Sequence, residues 1–120
     1  MIMKGGRANG KGGPQASVSA DAPRSYVASP AIYKIIAEGN NMRVVLATWK
    51  PGQRDAWHSH PPAAVYCLTG CAAGRLYSPD GQFIEGPIKV GQAEIHPKVH
   101  SHSFESRSNA ECRMLFVEQG

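Results

Sequence analysis

The five histidines fall in two short segments, His58 and His60, then His96, His100 and His102. In His58-Ser59-His60 one residue separates the imidazoles, and because strand side chains alternate with period two, both project from the same face. Two neutral imidazoles on one face are a ready pair of ligands for a divalent transition metal. A third, from the downstream cluster on a neighbouring strand, would complete a facial set with positions left open for water or substrate. A lone histidine would be read as solvated or satisfied in a core. The pair with a second cluster behind it favours an ion.

The elements that must hold these rings are strands. From Tyr26 onward, short β-branched and aromatic runs alternate with Gly, Pro, Asn and Asp, and no apolar 3.6-residue period persists for three turns. The pattern predicts strands at Ile32–Ala37, Met42–Lys50, Asp55–Ser59, Ala64–Thr69, Gly74–Ser78, Gln82–Glu85, Gln92–His96, Ser101–Ser106 and Cys112–Glu118. Gly39-Asn40-Asn41 can supply positive φ, Lys50-Pro51-Gly52 reads as a Pro-Gly turn, and Ser78-Pro79-Asp80-Gly81 as a hairpin. Some nine short antiparallel strands must close a barrel or form a sandwich to hide their edges.

With the strands in place, the chain resembles the cupin superfamily, whose first motif runs G-x5-H-x-H-x3,4-E-x6-G. Gly52 is followed by five residues and then His58-Ser59-His60, and Tyr66-Cys67-Leu68-Thr69-Gly70 is similar to the motif's ending. The second motif, G-x5-P-x-G-x2-H-x3-N, is similar to the run through Gly91, Pro97 and His102, with Ser106 at its last position. The resemblance covers about Tyr26 to Glu118. It implies an all-β, single-domain double-stranded β-helix (jelly-roll barrel) over residues 26–120, with a metal near its centre held by His58, His60 and His102. His100 shares strand parity with His102 and is a candidate supporting or substitute ligand. The sequence departs from the motifs at Ala63, where the first has Glu, and at Val99 and Ser106, where the second has Gly and Asn.

Without that Glu, three neutral imidazoles would leave a divalent ion its full +2 charge, which favours anionic oxygen donors. This resembles the three-His cupin dioxygenases, which include enzymes that cleave β-diketones and oxidise small thiols. The resemblance implies a mononuclear non-haem Fe(II) dioxygenase acting on a small oxygen-donor substrate, β-diketone-like, thiol or hydroxylated aromatic. Fe(II) is favoured, with Zn, Ni, Mn or Cu as competitors on affinity order. Phe104, two residues from His102, together with Tyr66 and Trp57, could shape the pocket, although aromatics serve more often as packing. Trp49 and Phe116 are further large groups near the histidines. Two other functions stand beside the enzyme: a non-catalytic small-ligand binding or sensing cupin, and a metal-dependent isomerase or epimerase. The last lacks a well-placed general base, since Asp55, Glu94 and Glu105 each fall one residue off the inward parity of their nearest histidine.

Size and charge exclude other classes. A chain of 120 residues admits one domain. Its net charge of +4 sits mostly in the Gly-, Ala-, Ser- and Pro-rich segment 1–25, which carries +3, so the folded part presents no basic face for nucleic acid. That segment has little to bury and reads as a flexible basic tail. No apolar run reaches the roughly 18 residues of a membrane helix. Cys67, Cys71 and Cys112 are an odd number at no zinc-ribbon spacing, so reduced thiols in a cytoplasm are the expectation. A barrel this small is expected to pair with a second copy through the edge segment Tyr26 to Ala37.

Overall fold

A computed structural model describes residues 21–120 together with the backbone of Arg7–Ala8. The elements are β1 (Arg7–Ala8), α1 (Ser25–Ala28), β2 (Tyr33–Gly39), β3 (Met42–Trp49), β4 (His58–His60), β5 (Ala63–Thr69), β6 (Cys71–Tyr77), β7 (Phe83–Ile88), β8 (Ala93–His96), β9 (Val99–Ser106) and β10 (Cys112–Gln119). They form two five-stranded sheets, β1-β7-β6-β9-β4 and β2-β3-β10-β5-β8. Every pairing between these strands is antiparallel. Strand and turn spacing predicts such an all-β pair of sheets, and the resemblance implies its double-stranded β-helix arrangement.

The turns follow their chemistry. Asn40 and Asn41 both adopt positive φ, 52° and 58°, and so close the β2–β3 hairpin as a turn with two left-handed residues. The core lies between the sheets and is built by alternation. Val45, Ala47 and Trp49 of β3 point inward, as do Cys112, Met114 and Phe116 of β10, and Phe104 reaches them from β9. Continuing that alternation, Glu118 is also buried, at 1% exposure.

Several expected boundaries move. The strand expected at Asp55–Ser59 is β4 at His58–His60, and it stops at Pro61-Pro62, whose nitrogens cannot donate to a ladder. β6 starts at Cys71 rather than Gly74, β7 runs Phe83–Ile88 rather than Gln82–Glu85, and the short α1 is additional. The tail reading of residues 1–20 lies outside the described residues, except that the Arg7–Ala8 backbone pairs with β7. Residues 22–25, counted with the tail in the sequence, lie against the barrel. Ala22 N–H donates to His100 O at 2.8 Å, Ser59 N–H to Pro23 O at 2.8 Å, and Ser25 is fully buried.

The cysteines require a correction. Cys71 on β6 and Cys112 on β10 form a disulfide with Cα atoms 5.2 Å apart, stapling one sheet to the other, and only Cys67 is a free thiol. Neighbours in space but 41 residues apart in sequence, they show no spacing signature. The argument from reduced thiols to a cytoplasm therefore no longer holds. No helix among the described residues is long and apolar enough to cross a membrane.

Candidate metal centre

β4 and β9 are adjacent in one sheet, and His58 stands directly opposite His102 across the pair. The register then shifts, so that His60 opposes Val99. Three residues of β9 are spanned where two of β4 are, which turns Val99 inward and sends His100 out to solvent. Expected to share the face of His102, His100 is exposed and outside the group; parity does not survive the bulge. His58, His60 and His102 are all buried, with ring centroids 4.6, 4.7 and 5.0 Å apart. Each offers a ring nitrogen, the three lying within 4.8 Å of one another.

The outer nitrogens of His58 and His60 are anchored. His58 Nδ1 lies 2.7 Å from Ala56 O, and since a carbonyl only accepts, Nδ1 carries the proton and Nε2 the lone pair. His60 Nδ1 lies 3.0 Å from Glu118 Oε2, which fixes the same tautomer. Carboxylate and carbonyl partners of this kind orient metal-ligating imidazoles. Burial pushes the His60 and His102 pKa values below the ordinary 6.5, His102 far below, and neighbouring imidazoles add to the effect, while Glu118 partly opposes it at His60. Neutral rings with oriented lone pairs are the donor set a divalent transition metal takes, so these residues fit such an ion.

Three polar residues outside the expected site, Asp55, Glu118 and Tyr33, support the rings. Asp55 is buried and saturated: Oδ2 accepts from Tyr33 Oη at 2.7 Å and Trp49 Nε1 at 3.2 Å, and Oδ1 accepts from the Phe104 N–H at 2.7 Å. Its Oδ1 also stands 3.4 Å from His58 Nδ1. Counting strand parity placed it outward, but Asp55 precedes β4 in a loop that runs along β9, where alternation does not apply. Glu118 was legible in principle from the alternation Cys112, Met114, Phe116. Tyr33 left no such signal, because β2 is otherwise exposed and carries an irregularity between Ile35 and Ala37. Burial, and then Asp55, hold the Tyr33 phenol well above its ordinary pKa, so without an ion it keeps its proton.

A small cavity adjoins two of the rings, about 10 Å³ for the centre of a water molecule, walled by His60, Ala63, Val65, His96, Pro97, Val99, His102 and Phe116. Ala63, where the motif expects Glu, is part of that wall. Phe116 stacks on His60 with planes 6° apart. The three aromatics expected to shape the pocket lie elsewhere. Phe104 packs on Trp49 at 4.8 Å, Tyr66 faces outward at 45% exposure, and Trp57 sits beneath the Arg54 guanidinium. Packing and sheet orientation, rather than distance from a histidine in sequence, decide which rings reach the cavity. His96 reaches its rim, with Nε2 2.7 Å from Glu94 Oε1.

Solved structures share this architecture. A cupin domain from Bordetella pertussis Tohama I matches with a TM-score of 0.67 at 19% identity, covering 82% of this chain and 96% of that one. A conserved protein with a double-stranded β-helix domain from Klebsiella pneumoniae matches at 0.58 and 18% identity, covering 88% and 82%. A cupin 2 conserved barrel domain protein from Salinispora arenicola matches at 0.54 and 14% identity, covering 73% and 74%. No family model and no curated protein matches the chain.

Proposed function

Starting from a cupin fold, we propose that this protein is a mononuclear metal-binding cupin, a non-haem Fe(II) dioxygenase acting on a small oxygen-donor compound such as a β-diketone, a thiol or a hydroxylated aromatic. The observation that carries this reading is the convergence of the buried His58, His60 and His102, two of which, His60 and His102, line a small cavity. When bound, Fe(II) supplies Lewis acidity and a redox centre. The chain's own residues do the rest. Asp55 and the Ala56 carbonyl hold the His58 ring, and Glu118 the His60 ring, in one tautomer, so these two need no reorientation when a ligand enters. Ala63, Val65, Val99 and Phe116 wall the cavity with apolar surface and, at about 10 Å³ for the centre of a water molecule, leave room for one small group.

Anaerobic reconstitution with Fe(II), followed by oxygen-electrode assays across those three substrate classes, tests the proposal. Stoichiometric iron with substrate-dependent oxygen uptake is the expected result. Bound iron without uptake favours the second reading, a ligand-binding or sensing cupin, which the small cavity supports.

We also propose a second copy of the chain as partner. β2 lies at the edge of its sheet and exposes Ile35 (41%) and Ile36 (55%), an apolar edge that pairing would cover. Sedimentation across micromolar concentrations checks it, and a monomer throughout would count against it.

A further inference from the structure

Tyr33 Oη stands 3.4 Å from His58 Nε2, and the protons around this contact are all accounted for. His58 Nδ1 gives its proton to the Ala56 carbonyl at 2.7 Å, so Nε2 is a bare lone pair. Tyr33 Oη directs its one proton to Asp55 Oδ2 at 2.7 Å, the shorter and charge-assisted contact, so an oxygen lone pair is what faces Nε2. Two acceptors meet with no hydrogen between them, in a buried site beside two more imidazoles. A cation between them satisfies both.

We propose that Tyr33 Oη is a fourth protein donor to the ion held by His58, His60 and His102, an oxygen ligand delivered from β2 in place of the carboxylate missing at Ala63. This rests on the metal-binding reading above. Donors on one ion at about 2.0–2.3 Å, at right angles to each other, stand about 3 Å apart. The 3.4 Å between Oη and Nε2 approaches that separation. The nearby carboxylates lie outside the histidine group: Glu118 Oε2 accepts from His60 while Oε1 lies 3.7 Å from an Arg43 nitrogen, and both Asp55 oxygens accept from Tyr33, Trp49 and Phe104. When Oη binds as phenolate, its proton moves along the existing hydrogen bond to Asp55 Oδ2. The Tyr33–Asp55 pair then keeps its total charge of −1, with the negative charge relocated from the carboxylate to the ligand oxygen. Three imidazoles and one phenolate would leave a divalent ion at +1 rather than +2.

The test uses the full chain and Tyr33→Phe, each loaded with one equivalent of Cu(II) alone. Circular dichroism melting establishes that the variant is folded. The unmutated protein is expected to show a visible phenolate-to-Cu(II) charge-transfer band that Tyr33→Phe lacks, with a changed electron paramagnetic resonance spectrum and affinity weaker by on the order of tenfold. Copper bound by the unmutated protein without that band overturns the Tyr33 assignment and leaves the three-histidine site standing, whether or not the variant folds. Identical spectra and affinities for the two proteins do the same. No copper bound by the unmutated protein overturns both.

Discussion

Glu118 Oε2 lies 3.0 Å from His60 Nδ1, and the cross-strand neighbour of Glu118 on β5 is Ala63. A carboxylate thus stands behind one ring of the histidine cluster, buried to 1% exposure, with its second oxygen 3.7 Å from an Arg43 nitrogen and in no hydrogen bond. Replacing Glu118 by Ala removes the acceptor that fixes the His60 tautomer. Metal affinity is expected to fall about 10- to 100-fold, as for other partners of ligating histidines. Glu118→Gln, which can still accept through its amide oxygen, is expected to lose less. Competition titration with a chromophoric chelator measures both, and equal affinity in all three proteins would show that His60 needs no anchor.

His58→Ala, His60→Ala and His102→Ala should each lower bound metal to well below one equivalent, whereas His100→Ala, at an exposed position, should leave it unchanged. Elemental analysis after dialysis decides this. Loss of metal in His100→Ala with retention in His102→Ala would require a different register between β4 and β9.

The metal-free protein should lose stability in mild acid. His60 and His102 have pKa values lowered below 6.5 by burial, so the unfolded chain binds more protons than the native one once pH falls towards that value. Their contribution is complete above about pH 6.5 and is lost progressively as pH falls below it. Thermal melting between about pH 7.5 and 5 should show the midpoint dropping, and His102→Gln should flatten the dependence. An unchanged slope in that variant would contradict the assignment to His102.

Reducing the Cys71–Cys112 disulfide, or replacing both residues by Ser, should lower the unfolding free energy by about 2–5 kcal/mol, because the bond restrains a long loop in the unfolded chain. Urea titrations with and without reductant provide the measurement. Replacing Cys67, the free thiol, should leave the effect of reductant intact.

Gly74 on β6 faces Phe104 so closely that an added Cβ would stand 2.5 Å from Phe104 Cζ. Phe104 is itself pinned against Trp49 in the core and has nowhere to move. Gly74→Ala should therefore cost about 1–3 kcal/mol by overpacking. A wild-type midpoint in chemical denaturation would mean that the sheet yields at this point.

Much of this protein was settled by local rules. Period-two alternation put His58 and His60 on one face, and Asn40-Asn41 marked a turn that needs positive φ. The run Cys112, Met114, Phe116 announced an inward face that carries on to Glu118. These follow from the sterics of a few consecutive residues, so they can be read along the chain. The rest depends on how distant strands align. One register shift opposite His58 and His60 brings in Val99 and expels His100. A loop lying along β9, outside any strand, turns Asp55 inward, and the closure of the two sheets sets Tyr33 over His58 and Cys71 beside Cys112. A single bulge inverts parity for every residue beyond it, and nothing in the adjacent residues records where the partner strand will place it; only tertiary pairing decides that.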